Sequence, residues 1–218
     1  MKLISLIGLI VFGGGQVLAQ RPIEYLFSLP SPQTQTVEIE CRLFDLVGET
    51  LELKLPVWRP GKYEVLDPAG TLYNFQVSDA NGKSLSFKKM DKSTWRIDLN
   101  GSNEVVASYT IYANSLSDRT RHVDDTHAFL SGSAVFVYTP SRRSRPLKVR
   151  FQVPESWEIA TGLRSFPGDG REFGAENYDT LVDSPFELGL QKRHHFVAAG
   201  RPHEIVVWGE AHYDEAKL

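Results

Sequence analysis

The densest group of side chains able to do chemistry is His122-Val-Asp124-Asp125-Thr-His127, with two imidazoles and two carboxylates within six residues. Such groups ligate divalent metals, so a metal site is one reading. A polar loop between two strands is the other. Neighbouring residues in extended chain point to opposite sides, which halves the ligands that Asp124 and Asp125 can offer together. The run is therefore read as a loop or a domain-facing surface, with no metal ligand assigned. His203-Glu204 begins like the zinc-peptidase run H-E-x-x-H, in which two histidines one helical turn apart hold the metal and the glutamate acts as base. Val207 stands where the second histidine is required, and Glu204 to Trp208 is strand-like. Serine chemistry lacks its G-x-S-x-G turn, because Leu130-Ser-Gly-Ser-Ala134 has the wrong spacing. His194 and His195 are adjacent, so one is expected to pack and the other to be wet. No catalytic residue is assigned, and the chain as it stands is not read as an enzyme.

The elements that position these residues are strands. Val37, Ile39, Cys41 and Leu43 share one face, and Leu51, Leu53, Leu55 and Val57 repeat the pattern. Tyr73 to Val77, Trp95 to Leu99, Val105 to Ile111, Leu147 to Val153 and Ile205 with Val207 alternate in the same way. Alternation with period two gives each strand one buried and one wet face. Asn81-Gly82 and Asn100-Gly101 suit two-residue hairpin turns, and Pro60-Gly61 suits a type II turn. The sequence predicts an all-β, antiparallel sandwich of about ten or more strands. Pro167 to Asn177 reads as one long loop. Cys41, the only cysteine, alternates in phase with apolar neighbours and reads as a buried small hydrophobe.

Residues 1–19 read as a cleaved signal peptide: Lys2 is followed by an apolar run from Leu3 to Phe12, and Val17-Leu-Ala19 ends on small residues. The run is too short to span a membrane as a helix, which needs about 20 apolar residues. The expected product is exported, periplasmic or secreted, without a stable membrane anchor. A formal charge of −3, from 24 basic and 27 acidic residues, gives no reason to expect nucleic acid as a partner. The one basic run, Ser141 to Arg145 with Lys148 and Arg150, reads as a solvated turn. The expected division is a leader at 1–19, a β-sandwich at 20–209, and at 210–218 the first helical turn of a further domain.

Two segments carry a family resemblance. Leu55-Pro-Val-Trp58-Arg-Pro60-Gly61-Lys-Tyr63 resembles a recurrent Trp-x-Pro-Gly-x-Tyr turn, and Tyr178-Asp-Thr-Leu-Val-Asp183-Ser-Pro185-Phe-Glu-Leu-Gly189 resembles a second motif. With Tyr109 to Asn114, Asp124 to Gly132 followed by Phe136 to Tyr138, and Pro154-x-x-Trp157, they are similar in order to the amino-terminal domain of the PDZ-containing glycyl aminopeptidases. That resemblance implies a non-catalytic β-rich domain that precedes a thermolysin-like zinc domain and a PDZ domain, which would be its partners. Zinc is then expected only in the catalytic domain, and no cofactor in this chain. Asp124, Asp125, His127, Phe129, Ser131 and Gly132 fall in the segment implied to face the catalytic domain or its substrate, where a carboxylate could meet a peptide's free ammonium. Trp58 and Tyr63 are expected to clamp the Pro60-Gly61 turn. An exposed apolar patch is expected around Ala128, Phe129 and Leu130 with Ser131-Gly132, and around Pro185 and Phe186. The rival reading is a stand-alone exported sandwich that binds carbohydrate or a protein partner.

Overall fold

The computed structural model describes residues 21–58, 65, 67–117, 121–210, 212 and 214. The expected leader, the Pro60-Gly61 turn with Tyr63, and Tyr213 with 215–218 lie outside the described residues. In chain order the strands are β1 (Ile23–Ser28), β2 (Thr36–Leu43), β3 (Thr50–Lys54), β4 (Leu72–Asp79), β5 (Phe87–Lys89), β6 (Thr94–Asp98), β7 (Val105–Tyr112), β8 (Asn114–Ser115) and β9 (Arg121–Val123). There follow β10 (His127–Leu130), β11 (Leu147–Gln152), β12 (Glu158–Thr161), β13 (Arg164–Ser165) and β14 (Glu172–Ala175). A short helix α1 (Tyr178–Val182) precedes β15 (Phe186–Gly189), β16 (Lys192–Ala198) and β17 (Arg201–Val207). The all-β expectation holds. Among the described residues no helix is long and apolar enough to cross a membrane.

A seven-stranded sheet runs in the order β13-β14-β11-β1-β2-β7-β4. Facing it are a five-stranded sheet, β12-β15-β10-β9-β8, and a three-stranded sheet, β3-β6-β5. The rings crossing between layers show the facing. Phe151 of β11 lies 5.0 Å from Phe186 of β15, and Phe75 of β4 stacks on Trp95 of β6 at 4.8 Å. The alternating residues that predicted strands line this one continuous core, with Val37, Ile39, Cys41 and Leu43 all buried. A two-stranded hairpin, β16-β17, completes the architecture.

Three expectations are corrected. The sandwich is not wholly antiparallel, because β1 pairs with β11 in parallel, Ile23 opposite Leu147 through Ser28 opposite Gln152. A parallel pair needs a long crossover, and 118 residues of chain separate the two strands, a distance that local turn signals do not reveal. The expected loop from Pro167 to Asn177 contains β14, which pairs with β11. Its residues Glu-Phe-Gly-Ala are too few to show a period. The two hairpin turns also differ. Asn100 and Gly101 both have positive φ, 49° and 82°, and Ser102 N donates to Leu99 O at 2.8 Å, the expected primed turn. At Asn81-Gly82 only the glycine is left-handed. There Asp79 Oδ1 accepts from both Asn81 N and Lys83 N, so a carboxylate builds a wider turn.

Candidate functional site

Strands β9 and β10 are antiparallel neighbours, with Val123 opposite Ala128 and His122 opposite Phe129. Asp125-Thr126 forms the turn between them, and Asp124 N donates to His127 O at 2.9 Å. In this register His122, Asp124 and His127 emerge on one face, while Asp125 points to solvent. The separation of the two aspartates is as the sequence implied. The meeting of both histidines with one of them was not. The signal that could have found it is a spacing of i, i+2 and i+5 across a two-residue turn.

Asp124 organises the turn. Its Oδ1 accepts from Thr126 N at 2.8 Å, Thr126 Oγ1 at 2.7 Å and His127 N at 2.9 Å. Its Oδ2 lies 3.0 Å from His122 Nε2. Burial pushes the Asp124 carboxyl up, but the hydrogen bonds from Thr126, His122 and His127 outweigh it and hold the group well below the usual carboxylate range. His127 is the most enclosed member, its side chain 1% exposed. Its Nδ1 stands 3.6 Å from Asp124 Oδ1 and its Nε2 3.7 Å from Glu187 Oε1, both beyond hydrogen-bond reach. Burial lowers the His127 pKa despite the attraction of Asp124. Burial alone pushes the Glu187 carboxyl up to about 7. Three buried polar atoms in this corner lack a hydrogen-bond partner among the described residues: His122 Nδ1, His127 Nδ1 and Glu187 Oε1.

The surroundings fix His127. Trp208 stacks on its ring at 3.5 Å between centroids. Gly189, opposite His127 in β15, has φ +149°, and a Cβ there would lie 2.6 Å from Thr126 O and 2.7 Å from His127 Cβ. The glycine that ends the second sequence motif is thus required by close approach of the hairpin. Leu190, next in sequence, donates its N–H to Thr126 O at 3.3 Å and leaves its side chain exposed.

The remaining motif residues build scaffold. Tyr178 is buried, donates to Phe136 O at 2.6 Å and stacks on Tyr138 at 4.6 Å. Tyr25 donates to Val137 O at 2.7 Å. Tyr109 donates to Val135 O at 2.9 Å and accepts from Val137 N at 3.1 Å. Three hydroxyls thereby satisfy the backbone of Val135 to Val137, which runs inside the core. These partners leave no mark in the sequence, because a phenol in phase with apolar residues looks like any core ring. Gly132 packs against α1, with room for a Cβ only 3.0 Å from Leu181 O. Asp183 caps α1 through its backbone N–H to Asp179 O and Leu181 O, and Pro185 is exposed. Trp58 is half exposed.

The expected apolar patch is corrected here. Ala128, Leu130, Ser131, Gly132 and Phe186 are buried, and Phe129 is half-buried. Residues 130–137 are buried without a break, which removes alternation there. Exposed apolar side chains lie instead at Val47, Trp58, Val65, Leu116, Leu190 and Val197. His203 and Glu204 sit on β17, where His203 stacks on Phe196 and Glu204 pairs with Arg193 at 2.7 Å.

Residues 24–190 match the family model of the peptidase M61 N-terminal domain. The fold resembles that of an aminopeptidase N family protein from Idiomarina loihiensis with a TM-score of 0.84 and 25% identity. The match covers 89% of this chain and 34% of that one, so this chain spans about a third of its length. A mutant M1 zinc metallopeptidase from Deinococcus radiodurans, bound to a Tyr-Ser-Ala substrate, is similar with a TM-score of 0.49 and 14% identity, over 86% of this chain and 46% of that one. No curated protein matches the chain.

Proposed function

This chain belongs to the peptidase M61 N-terminal domain family, and from that premise we propose that it is the non-catalytic amino-terminal domain of an exported, glycyl aminopeptidase-like zinc metallopeptidase. Its role is to pack against a catalytic domain and wall one side of the active-site cleft, so that only chain ends enter. The observation that carries this reading is the superposition of nearly the whole chain on a third of a protein named for aminopeptidase activity. No H-E-x-x-H run occurs in the 218 residues, so the zinc and the general base of peptide hydrolysis would come from the catalytic domain.

The surface best suited to face that domain is the rim of the His127 corner. Asp125 and Thr126 are exposed there, beside Leu190 and the outer part of Trp208. Asp124 is committed to its turn, so Asp125 is the carboxylate offered to a peptide's amino-terminal ammonium, a charge-assisted contact. Residues 1–19 serve export, and 20–209 and 210–218 are the domain and the lead into the next.

The coding sequence beyond Leu218 tests the reading. An in-frame H-E-x-x-H run is expected, and the longer product should release glycine from glycyl peptides while the 218-residue chain does not. A stop codon after Leu218, with no zinc peptidase co-purifying from the source cells, would overturn it in favour of a stand-alone binding module.

A further inference from the structure

The histidine corner has the composition of a coordination site. His122, Asp124 and His127 each offer one ligand atom, and the three atoms lie within 4.8 Å of one another. The 3.0 Å between His122 Nε2 and Asp124 Oδ2 is close to the ligand-to-ligand edge of a tetrahedral site, and His127 Nδ1 stands 3.6 Å from the other oxygen of Asp124. Bonds of about 2.0–2.1 Å give an edge of roughly 3.3 Å in a tetrahedron. An independent observation points the same way. His127 is almost wholly enclosed, yet its Nδ1 has no hydrogen-bond partner among the described residues. An orphaned ring nitrogen in a buried position is destabilising unless something accepts its lone pair or its proton.

We propose that His122, Asp124 and His127 bind a zinc-class divalent cation, separate from any catalytic zinc, which clips β9 to β10 across their turn. Two imidazole nitrogens and one carboxylate oxygen favour zinc over magnesium or calcium, which take mainly oxygen ligands. The protein supplies the outer support such a site needs. With His127 Nδ1 on the metal, its Nε2–H faces Glu187 Oε1, the carboxylate–histidine–metal arrangement that fixes a ring's tautomer. Asp124 Oδ1 is already held by three donors, leaving Oδ2 for the metal. Trp208 stacks on the His127 ring, and Gly189 lies close against the Cα and Cβ of His127. A fourth position is left for water or a donor from outside the chain.

The test is titration of the tag-free, chelator-treated chain with zinc chloride, followed by calorimetry and by thermal melting, with magnesium chloride as the comparison. One equivalent of zinc should bind and raise the melting temperature, and magnesium should do neither. Asp124→Asn keeps the oxygen that caps the turn but loses the charge, and His122→Gln removes an imidazole from a half-buried position. Each should weaken zinc binding at least about tenfold, with the β-sheet circular dichroism unchanged. Asp125→Ala should bind as the parent does. Cobalt(II) should give the intense visible bands of tetrahedral coordination, lost in both ligand variants. Absence of zinc binding in the folded parent, or equal binding in Asp124→Asn and His122→Gln, overturns the proposal. It stands or falls apart from the proposed function, since neither outcome depends on a catalytic domain.

Discussion

Two buried polar regions of this domain are built on opposite terms. In the tyrosine cluster, three hydroxyls from β1, β7 and α1 reach the carbonyls of Val135, Phe136 and Val137, and Tyr109 also takes the N–H of Val137. Every contact is between 2.6 and 3.1 Å. At the histidine corner three buried atoms have no hydrogen-bond partner among the described residues, and the carboxylates of Asp124 and Glu187 stand off from His127 at 3.6 and 3.7 Å. Both regions draw on motif segments of one family. A buried hydrogen bond that is made stabilises modestly, while one left unmade costs a desolvated group. The first region therefore has the properties of scaffold, and the second those of a site held ready for something else.

The contrast yields predictions of graded size. The largest is at the glycine that supports the corner. Gly189→Ala adds a Cβ against Thr126 O and His127 at a φ of +149°, and should destabilise by about 3 kcal/mol in urea titration. A loss below about 1 kcal/mol would mean that the hairpin and β15 are not so tightly apposed. Tyr178→Phe comes next, because it orphans the Phe136 carbonyl while keeping the ring stack on Tyr138. A loss of about 1–3 kcal/mol is expected, and an unchanged midpoint would remove Tyr178 from the scaffold. Asp125→Ala should change stability by less than about 0.5 kcal/mol, as an exposed turn residue. In a longer product with its catalytic domain, the same change should raise KM for peptides with a free amino terminus. The smallest effect is at Cys41, whose thiol burial pushes up to about 12. A thiol reagent attacks the thiolate, so the native chain should not label at neutral pH and should label fully in denaturant. Rapid native labelling would show that this part of the core opens.

The sequence and the structure agree where one sheet face is buried and the other wet. Val37 to Leu43, Leu51 to Leu55 and Leu147 to Phe151 were legible because alternation records that asymmetry in residue types. It failed at Ala128 to Gly132, buried but for the half-buried Phe129, where an apolar run looked like an exposed patch. The parallel pairing of β1 with β11 was hidden because no local signal spans so long a crossover. At the candidate site the residue types were visible and their convergence was not, since it depends on the register across Asp125-Thr126. Glu187 and Trp208 were invisible for the same reason, reaching His127 from β15 and from beyond β17.

The most direct test of the contrast is a matched pair of apolar replacements, Tyr109→Phe and His127→Phe, unfolded in urea with a chelator present. Tyr109→Phe removes the hydroxyl that serves both Val135 O and Val137 N, and should cost about 2–3 kcal/mol. His127→Phe keeps a flat ring against Trp208 and removes an unpaired buried nitrogen, so stability should stay level or rise by up to about 1 kcal/mol. Equal losses in both would contradict the account, because the histidine would then be scaffold like the tyrosine.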